Sequence, residues 1–514
     1  MSLSRRSLLL AGAGAVALGA GLPGTATAAG PFQRRRPALS PFVRQDVATL
    51  FDPVTGDWHP RLYWYARAVG WMKQRDGTPD RHDSWLFQWY THGKPTPQRD
   101  GDPPEWRQCP HGDRYFLPWH RWYLYYFERI VRRVIVEDLG QWDQFDWALP
   151  YWNYAHREPG DGSEKYRRVP LPFRQRTMRG PDGREEENPL YLPPYDTEGR
   201  CRGAEPLTPT EVDPSEAMAQ TCFWPPEDTP GASSGFSRAF EHRPHDIVHG
   251  TVGGLMGAVP TAAGDPVFWL HHCNIDRLWY AWMAADPSHT SPTGWRWPAV
   301  RPKHGPQDDE PFLLRDADGS RHVLEGDVFA FPDHAYEYDS LTDGTGTDTS
   351  NFAPFVVPPG QTDELAATTE EETRLAARNI VTLTPAPGGA EALQTTTTGD
   401  GGDERVLLTF EGVRATRQPC SPFSVLLGGD RSGTDPDGPA FVGLLAFFDN
   451  VGDEPHPEGR TFSFDVTEKL RELEDTSAWA TGDEVPTVRV VADRPEALAA
   501  DSDPRFARAT LTVV

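Results

Sequence analysis

The stretch from Cys109 to Glu128, reading Cys109-Pro110-His111-Gly112-Asp113 and then Trp119-His120-Arg121, constrains this chain more than any other. It sets two histidines where a loop enters a helix rich in aromatic residues, Trp119, Tyr123 and Phe127 among them. Apolar surroundings keep imidazole neutral, and neutral imidazole is a ligand for copper, zinc or iron. A second constellation follows: Pro244-His245-Asp246-Ile247-Val248-His249, then Asp265-Pro266 with Phe268, His271, His272, Asp276 and Arg277. His245 and His249 stand at i and i+4, so on a helix both rings leave from one face and can share a metal.

Together these stretches resemble the copper A and copper B signatures of the tyrosinase, catechol oxidase and hemocyanin superfamily. The first carries His111, His120, Arg121 and Glu128 in the family's spacing; the second carries His245, His249, Asp265, Pro266, Phe268, His272, Asp276 and Arg277. The resemblance covers roughly residues 40–340. It implies a mainly α catalytic domain, a four-helix bundle holding two copper ions with three histidines each. Copper A takes His92, His111 and His120 on this reading, with His82 as the rival to His92. Copper B takes His245, His249 and His272; His272 is preferred to His271 because the family's ligand stands four residues before the Asp, here Asp276. Asp276 is expected to orient a ligand imidazole through its other ring nitrogen.

The same resemblance assigns further roles. Cys109 and His111 form a Cys-x-His pair like the one that fungal tyrosinases link through a thioether. Glu241 matches the family's water-orienting glutamate, which helps take the proton of an incoming phenol. Asp246 stands where Asn accompanies strong monophenol activity, whereas Val259 stands where plant catechol oxidases often carry a bulky Phe over copper A. Those two positions pull in opposite directions. The implied activity is that of a polyphenol oxidase acting on phenolic small molecules with O2, oxidising o-diphenols to o-quinones and extending to monophenol hydroxylation. An o-aminophenol oxidase of secondary metabolism is the alternative, and a hemocyanin-like O2 binder the non-enzymatic one. A zinc hydrolase is disfavoured because its His-Glu-x-x-His pattern needs Glu directly after the first His, where this chain has Asp246.

The N-terminus carries Ser4-Arg5-Arg6-Ser7-Leu8-Leu9-Leu10 and then small residues to Ala26-Thr27-Ala28, which predicts a twin-arginine export signal over 1–28 and a secreted or extracytoplasmic protein. Loss of Arg5 and Arg6 with that signal takes the formal net charge from -25 to -27. So acidic a chain, with no basic patch, is not a nucleic-acid binder, and beyond the signal no apolar run is long enough to span a membrane. A copper-delivery partner leaves no signature. Of the five cysteines, Cys201 and Cys222 are placed to close a short loop as a disulfide, and Cys273 and Cys420 read as buried thiols.

Helical spacing of Leu62, Tyr65, Val69 and Met72 predicts a first helix, and Ser84 with Gly93 brackets a second over 85–92. The copper A helix is expected over 117–136 and the copper B helices over 243–256 and 266–284. Residues 157–230, dense in Pro, Gly, Arg and Glu, read as a surface insertion shaping the entrance. Tyr336-Glu337-Tyr338 resembles the tyrosine motif closing the catalytic core of plant polyphenol oxidases, with Arg44 as its partner. The catalytic domain thus spans 29–340. A Thr, Gly, Asp and Pro-rich linker covers 341–375. Seven short alternating runs from Ile380 to Val513 then predict a C-terminal β-sandwich over 376–514. By likeness to plant and fungal enzymes that domain shields the active site, and Phe441 to Phe448 is the segment able to plug it.

Overall fold

The computed structural model describes residues 40–514 apart from 98, 158–161, 195–201, 204, 225–234, 290, 302–309, 334, 343, 345–362, 370, 399–403, 429–439, 452–457 and 476–484. The expected export signal and Cys201, hence the expected Cys201–Cys222 disulfide, lie outside the described residues.

Six helices frame the metal centre. Helix α1 (Pro60–Lys73) starts with proline at its first position, and the His59 side chain accepts from Arg61 N–H; Leu62, Tyr65, Val69 and Met72 form its buried face. Helix α2 (Trp85–His92) is capped by Ser84, whose hydroxyl accepts from Phe87 N–H at 3.0 Å. Gly93 ends it in extended backbone. A side chain there would put its Cβ 2.6 Å from the Val259 carbonyl oxygen, so glycine is required by close approach rather than by a turn. Helix α3 (Phe116–Arg133) continues through one wide turn, Val134–Asp138, ending near the predicted limit.

The first copper B helix is shorter than its prediction. A short helix α4 (Phe236–Phe240) passes through a wide turn, Glu241–Asp246, into α5 (Ile247–Val252). Pro244 has no N–H to give, and Arg243 is non-helical, so the regular ladder resumes only at Ile247. Helix α6 (Pro266–Ala285) has Asp265 as its cap, accepting from Val267 N–H at 3.0 Å. It is buried on nearly every face, which suits the central rod of a bundle rather than a surface helix. Arg202, from the insertion, clamps the same Asp265 with both arms at 2.5 and 2.9 Å.

The chain ends of the helical part are tied together. Val43–Arg44 pairs in parallel with Glu337–Tyr338. The fully buried Arg44 reaches Tyr338 Oη at 2.9 Å and Glu128 at 2.8 Å, and lies over the Tyr336 ring at 3.5 Å. The expected Arg44–tyrosine-motif partnership is present.

Two antiparallel sheets follow. One has the order Thr384–Pro385, Asp363–Ala367, Arg508–Val513, Val406–Val413 and Arg460–Asp465; the other Phe441–Leu445, Phe423–Leu427, Val488–Ala492 and Arg378–Val381. Alternate residues such as Val406, Leu408 and Phe410 meet Phe423, Val425, Val488 and Val490 in one core, as in a β-sandwich. Each of the seven predicted runs contains a strand, though the first breaks after Val381 and Phe441 to Phe448 leaves its strand after Leu445. The sheet begins at Asp363 rather than 376, because Asp363–Ala367 pairs with Arg508–Val513; its acidic start and small residues conceal it in the sequence. Between these strands Thr395 to Thr398 closes a helix, Gly389–Thr398, with hydroxyls of Thr395, Thr396 and Thr397 bonding back one turn.

The two parts exchange side chains. Ile247 of α5 packs into the sandwich core, and Phe448 of the sandwich packs into the helical core. Across the seam Arg494 grips Glu211 at 2.5 and 2.8 Å, and Gln418 Nε2 donates to the Gly257 carbonyl at 2.7 Å.

Candidate metal centre

Helices α2, α3, α5 and α6 each bring histidine to one buried place, joined by His111 from the loop before α3 and His245 from the turn before α5. Ligand atoms of His92, Cys109, His111 and His120 lie within 4.8 Å of one another, as do those of His245, His249, His271 and His272. The two clusters adjoin: the His120 and His272 rings stack at 4.3 Å, and the His111 and His245 centroids are 5.8 Å apart. His82 stands apart, its Nε2 at 3.3 Å from the Ala317 carbonyl.

The imidazoles are held from behind. Nδ1 of His92 lies 3.0 Å from the Val259 carbonyl, that of His120 2.8 Å from Phe116 O, that of His249 2.9 Å from Met256 O, and that of His245 2.9 Å from Asp246 Oδ1. Each acceptor selects the tautomer with its proton on Nδ1, leaving the Nε2 lone pair free. Nε2 of His92 and of His245 are buried with no protein partner, and the His249 and His272 Nε2 atoms face each other at 3.2 Å. Unpartnered acceptors converging in an apolar place are costly without a cation, and nitrogen donors fit copper. Burial pushes all of these imidazoles down from their usual range, His120 to about 3, so they are neutral near pH 7.

His271 lies among the copper B candidates, 4.6 Å from His249 by ring centroid, with neither ring nitrogen partnered. Cys109 Sγ is 3.4 Å from His111 Nδ1 and 3.2 Å from His120 Nε2. Val259 meets the site through its carbonyl on His92, and its side chain is buried. Glu241 is fully buried; Oε1 accepts from Gly112 N–H at 2.7 Å, and Oε2 has no protein partner. Burial holds its carboxyl well above the usual range, with Arg460 opposing and Asp246 and Asp449 adding.

Asp276 does something other than expected. Its carboxylate takes Arg121 at 2.7 Å, Arg44 at 3.3 Å and the hydroxyls of Tyr336 and Tyr338 at 2.6 Å each, and among the described residues it bonds no imidazole. Two cations and two hydroxyls from distant segments saturate it, so it braces α6 against α3 and the chain ends instead of orienting a ligand. Phe448, at the end of the segment expected to plug the site, lies on His249. The sequence held no sign of Arg460, which reaches Asp246 Oδ2 at 2.5 Å; only a pairing across the two domains would reveal it.

Residues 82–285 match the family model described as the common central domain of tyrosinase. Tyrosinase HcTyr1 of Hahella sp. (strain CCB-MM4) is 30% identical over 470 residues, covering 85% of this chain and 92% of its own. A tyrosinase of Streptomyces antibioticus is 32% identical over 206 residues, covering 37% of this chain and 69% of its own. In fold, a latent aurone synthase (polyphenol oxidase) agrees with a TM-score of 0.54 at 20% identity, over 94% of this chain and 91% of that one. A latent apple tyrosinase agrees at 0.51 and 17% identity, over 94% and 99%. With a metal-ready histidine centre and a relative matched over nearly its whole length, the chain belongs to the tyrosinase family, copper oxidoreductases that act on phenols with O2.

Proposed function

We propose that this chain is an o-diphenol oxidase, with His92, His111 and His120 as copper A ligands and His245, His249 and His272 as copper B ligands. The observation that carries the ligand set is the orientation of His92, His120, His245 and His249, each with Nδ1 on an oxygen acceptor and Nε2 toward the shared space. Copper held there supplies dioxygen binding and the electron acceptor. Two diphenols each give up two electrons and two protons to become o-quinones, and one dioxygen is reduced to two waters. Glu241 is the group placed to exchange a proton with the substrate: Gly112 N–H fixes one oxygen, and the unpartnered Oε2 is free to meet a phenol hydroxyl or a water. Asp246 lies in the same buried space, at the position where Asn accompanies strong monophenol activity in the family. Diphenol oxidation therefore exceeds hydroxylation.

The β-sandwich is the shield. Phe448 lies parallel to the His249 ring, at 3.9 Å and 14°, and edge-on to His111 and His245, in the place a phenol ring would take. Cleavage between Gly344 and Asp363 would expose the site, and the export signal over 1–28 would carry the shielded protein out of the cell before that. Among the described residues no helix is long and apolar enough to cross a membrane.

Oxygen uptake by the copper-loaded, cut protein on a monophenol, its catechol and an o-aminophenol tests the reading. The expected order puts the catechol first. Fastest turnover of the o-aminophenol would replace this reading with the alternative.

A further inference from the structure

The sandwich touches the metal centre a second time. Arg460, at the start of the strand Arg460–Asp465, sends Nη1 to Asp246 Oδ2 at 2.5 Å and to Asp449 Oδ1 at 2.9 Å. The three side chains are 8%, 0% and 1% exposed, so these are interior ion pairs rather than surface ones. Asp246 holds His245 Nδ1 with its other oxygen, and Asp449 follows Phe448 directly. One guanidinium thus grips both the carboxylate behind a candidate copper B ligand and the residue beside the ring that covers His249.

Asp246 depends on that cation. Its side chain is fully buried, and Oδ2 meets Arg460 Nη1 at 2.5 Å. Among the described residues, no other arginine or lysine bonds to it.

We propose that Arg460 is a positioning residue of the copper site and the pin of the shield: through Asp246 it holds His245, and through Asp449 it holds Phe448 in place. Asp246 is, on this account, the receptor for the sandwich as well as a neighbour of Glu241. Shielding is then more than steric. Undocking the sandwich removes the cation from Asp246 at the moment Phe448 leaves, so opening the site and releasing the carboxylate behind His245 are one event.

The inference rests on the reading of the sandwich as a shield, and the test separates the two. Amide hydrogen exchange of residues 444–451 is followed in the copper-free full chain for Arg460→Met, Asp246→Asn, their double variant and Arg460→Lys. Each neutralising variant is expected to exchange at least about tenfold faster there, the double no faster than the quicker single, and Arg460→Lys close to wild type. Arg494→Met, which breaks the Glu211 pair elsewhere on the seam, serves as the control and should combine additively with Asp246→Asn. Unchanged exchange in Asp246→Asn, or additivity between Arg460→Met and Asp246→Asn, would overturn the pin. Failure of the shield itself would show differently, as full activity of the uncut wild type that cutting does not raise.

Discussion

Phe448, from the C-terminal sandwich, lies flat against His249, from the helical part, with ring centroids 3.9 Å apart. Neither residue could hold that place alone, since Phe448 is fully buried in the core cluster of the other part.

If that ring fills the substrate position, shortening it should open the site without a cut. Phe448→Ala in the uncut chain is expected to raise catechol turnover several-fold at unchanged copper content. Brief proteolysis between Gly344 and Asp363 should do the same to the wild type, and add little to the variant. Equal turnover before and after either change would assign the sandwich to stability or attachment.

Cys109 Sγ is within reach of the His111 ring. A thioether between them would remove two hydrogens, so the intact mass of reduced, copper-loaded protein should fall short of the all-thiol value by that amount. A peptide map should hold both residues in one cross-linked fragment. Ready alkylation of Cys109 in active enzyme would exclude the bond.

Arg44 carries the joint between the chain ends and the bundle. Arg44→Met would leave Glu128 and Asp276 buried without that cation, and removal of one partner from such a network costs about 3–5 kcal/mol. Urea unfolding of the copper-loaded protein should show a loss of this order. A loss comparable with that of an exposed pair such as Arg508–Glu364 would contradict the role.

Asp493 gives the seam a pH dependence. It accepts from Ser424 Oγ at 2.5 Å beside the Glu211–Arg494 pair, and burial pushes its carboxyl up to about 6, with Glu211 adding and Ser424 and Arg494 opposing. The folded protein therefore binds this proton more tightly than the unfolded chain. Its contribution is present in full below the ordinary carboxylate range and is lost as pH climbs through about 6. Asp493→Asn, neutral throughout, is expected to melt above wild type near pH 8 and to lose that advantage near pH 4. An advantage independent of pH would show that charge is not the cause.

The histidine centre was legible in the sequence because its spacings are local: a ligand pair four residues apart, one on the wide turn and one on α5, and an aromatic entry to α3 leave marks within a few residues. The sandwich strands were legible for the same reason. What escaped was contact between distant segments. Asp276 sits one turn after His272, where a carboxylate can serve either a ligand ring or a structural network, and Arg44, Arg121 and two tyrosines decided for the network. Arg460 and Asp246 are 214 residues apart, and nothing near either betrays the other. The early start of the sandwich was hidden because Asp363–Ala367 carries acidic and small residues where a strand is usually β-branched.

The central claim is that six histidines hold a pair of coppers that oxidise a diphenol. Metal analysis of the purified copper-loaded chain, together with catechol-dependent oxygen uptake by wild type, His120→Ala and His249→Ala, tests it most directly. The account predicts about two coppers per wild-type chain, with oxidation abolished in both variants while their far-ultraviolet circular dichroism stays that of the wild type. One zinc per chain without catechol oxidation, or undiminished oxidation in either variant, would contradict it.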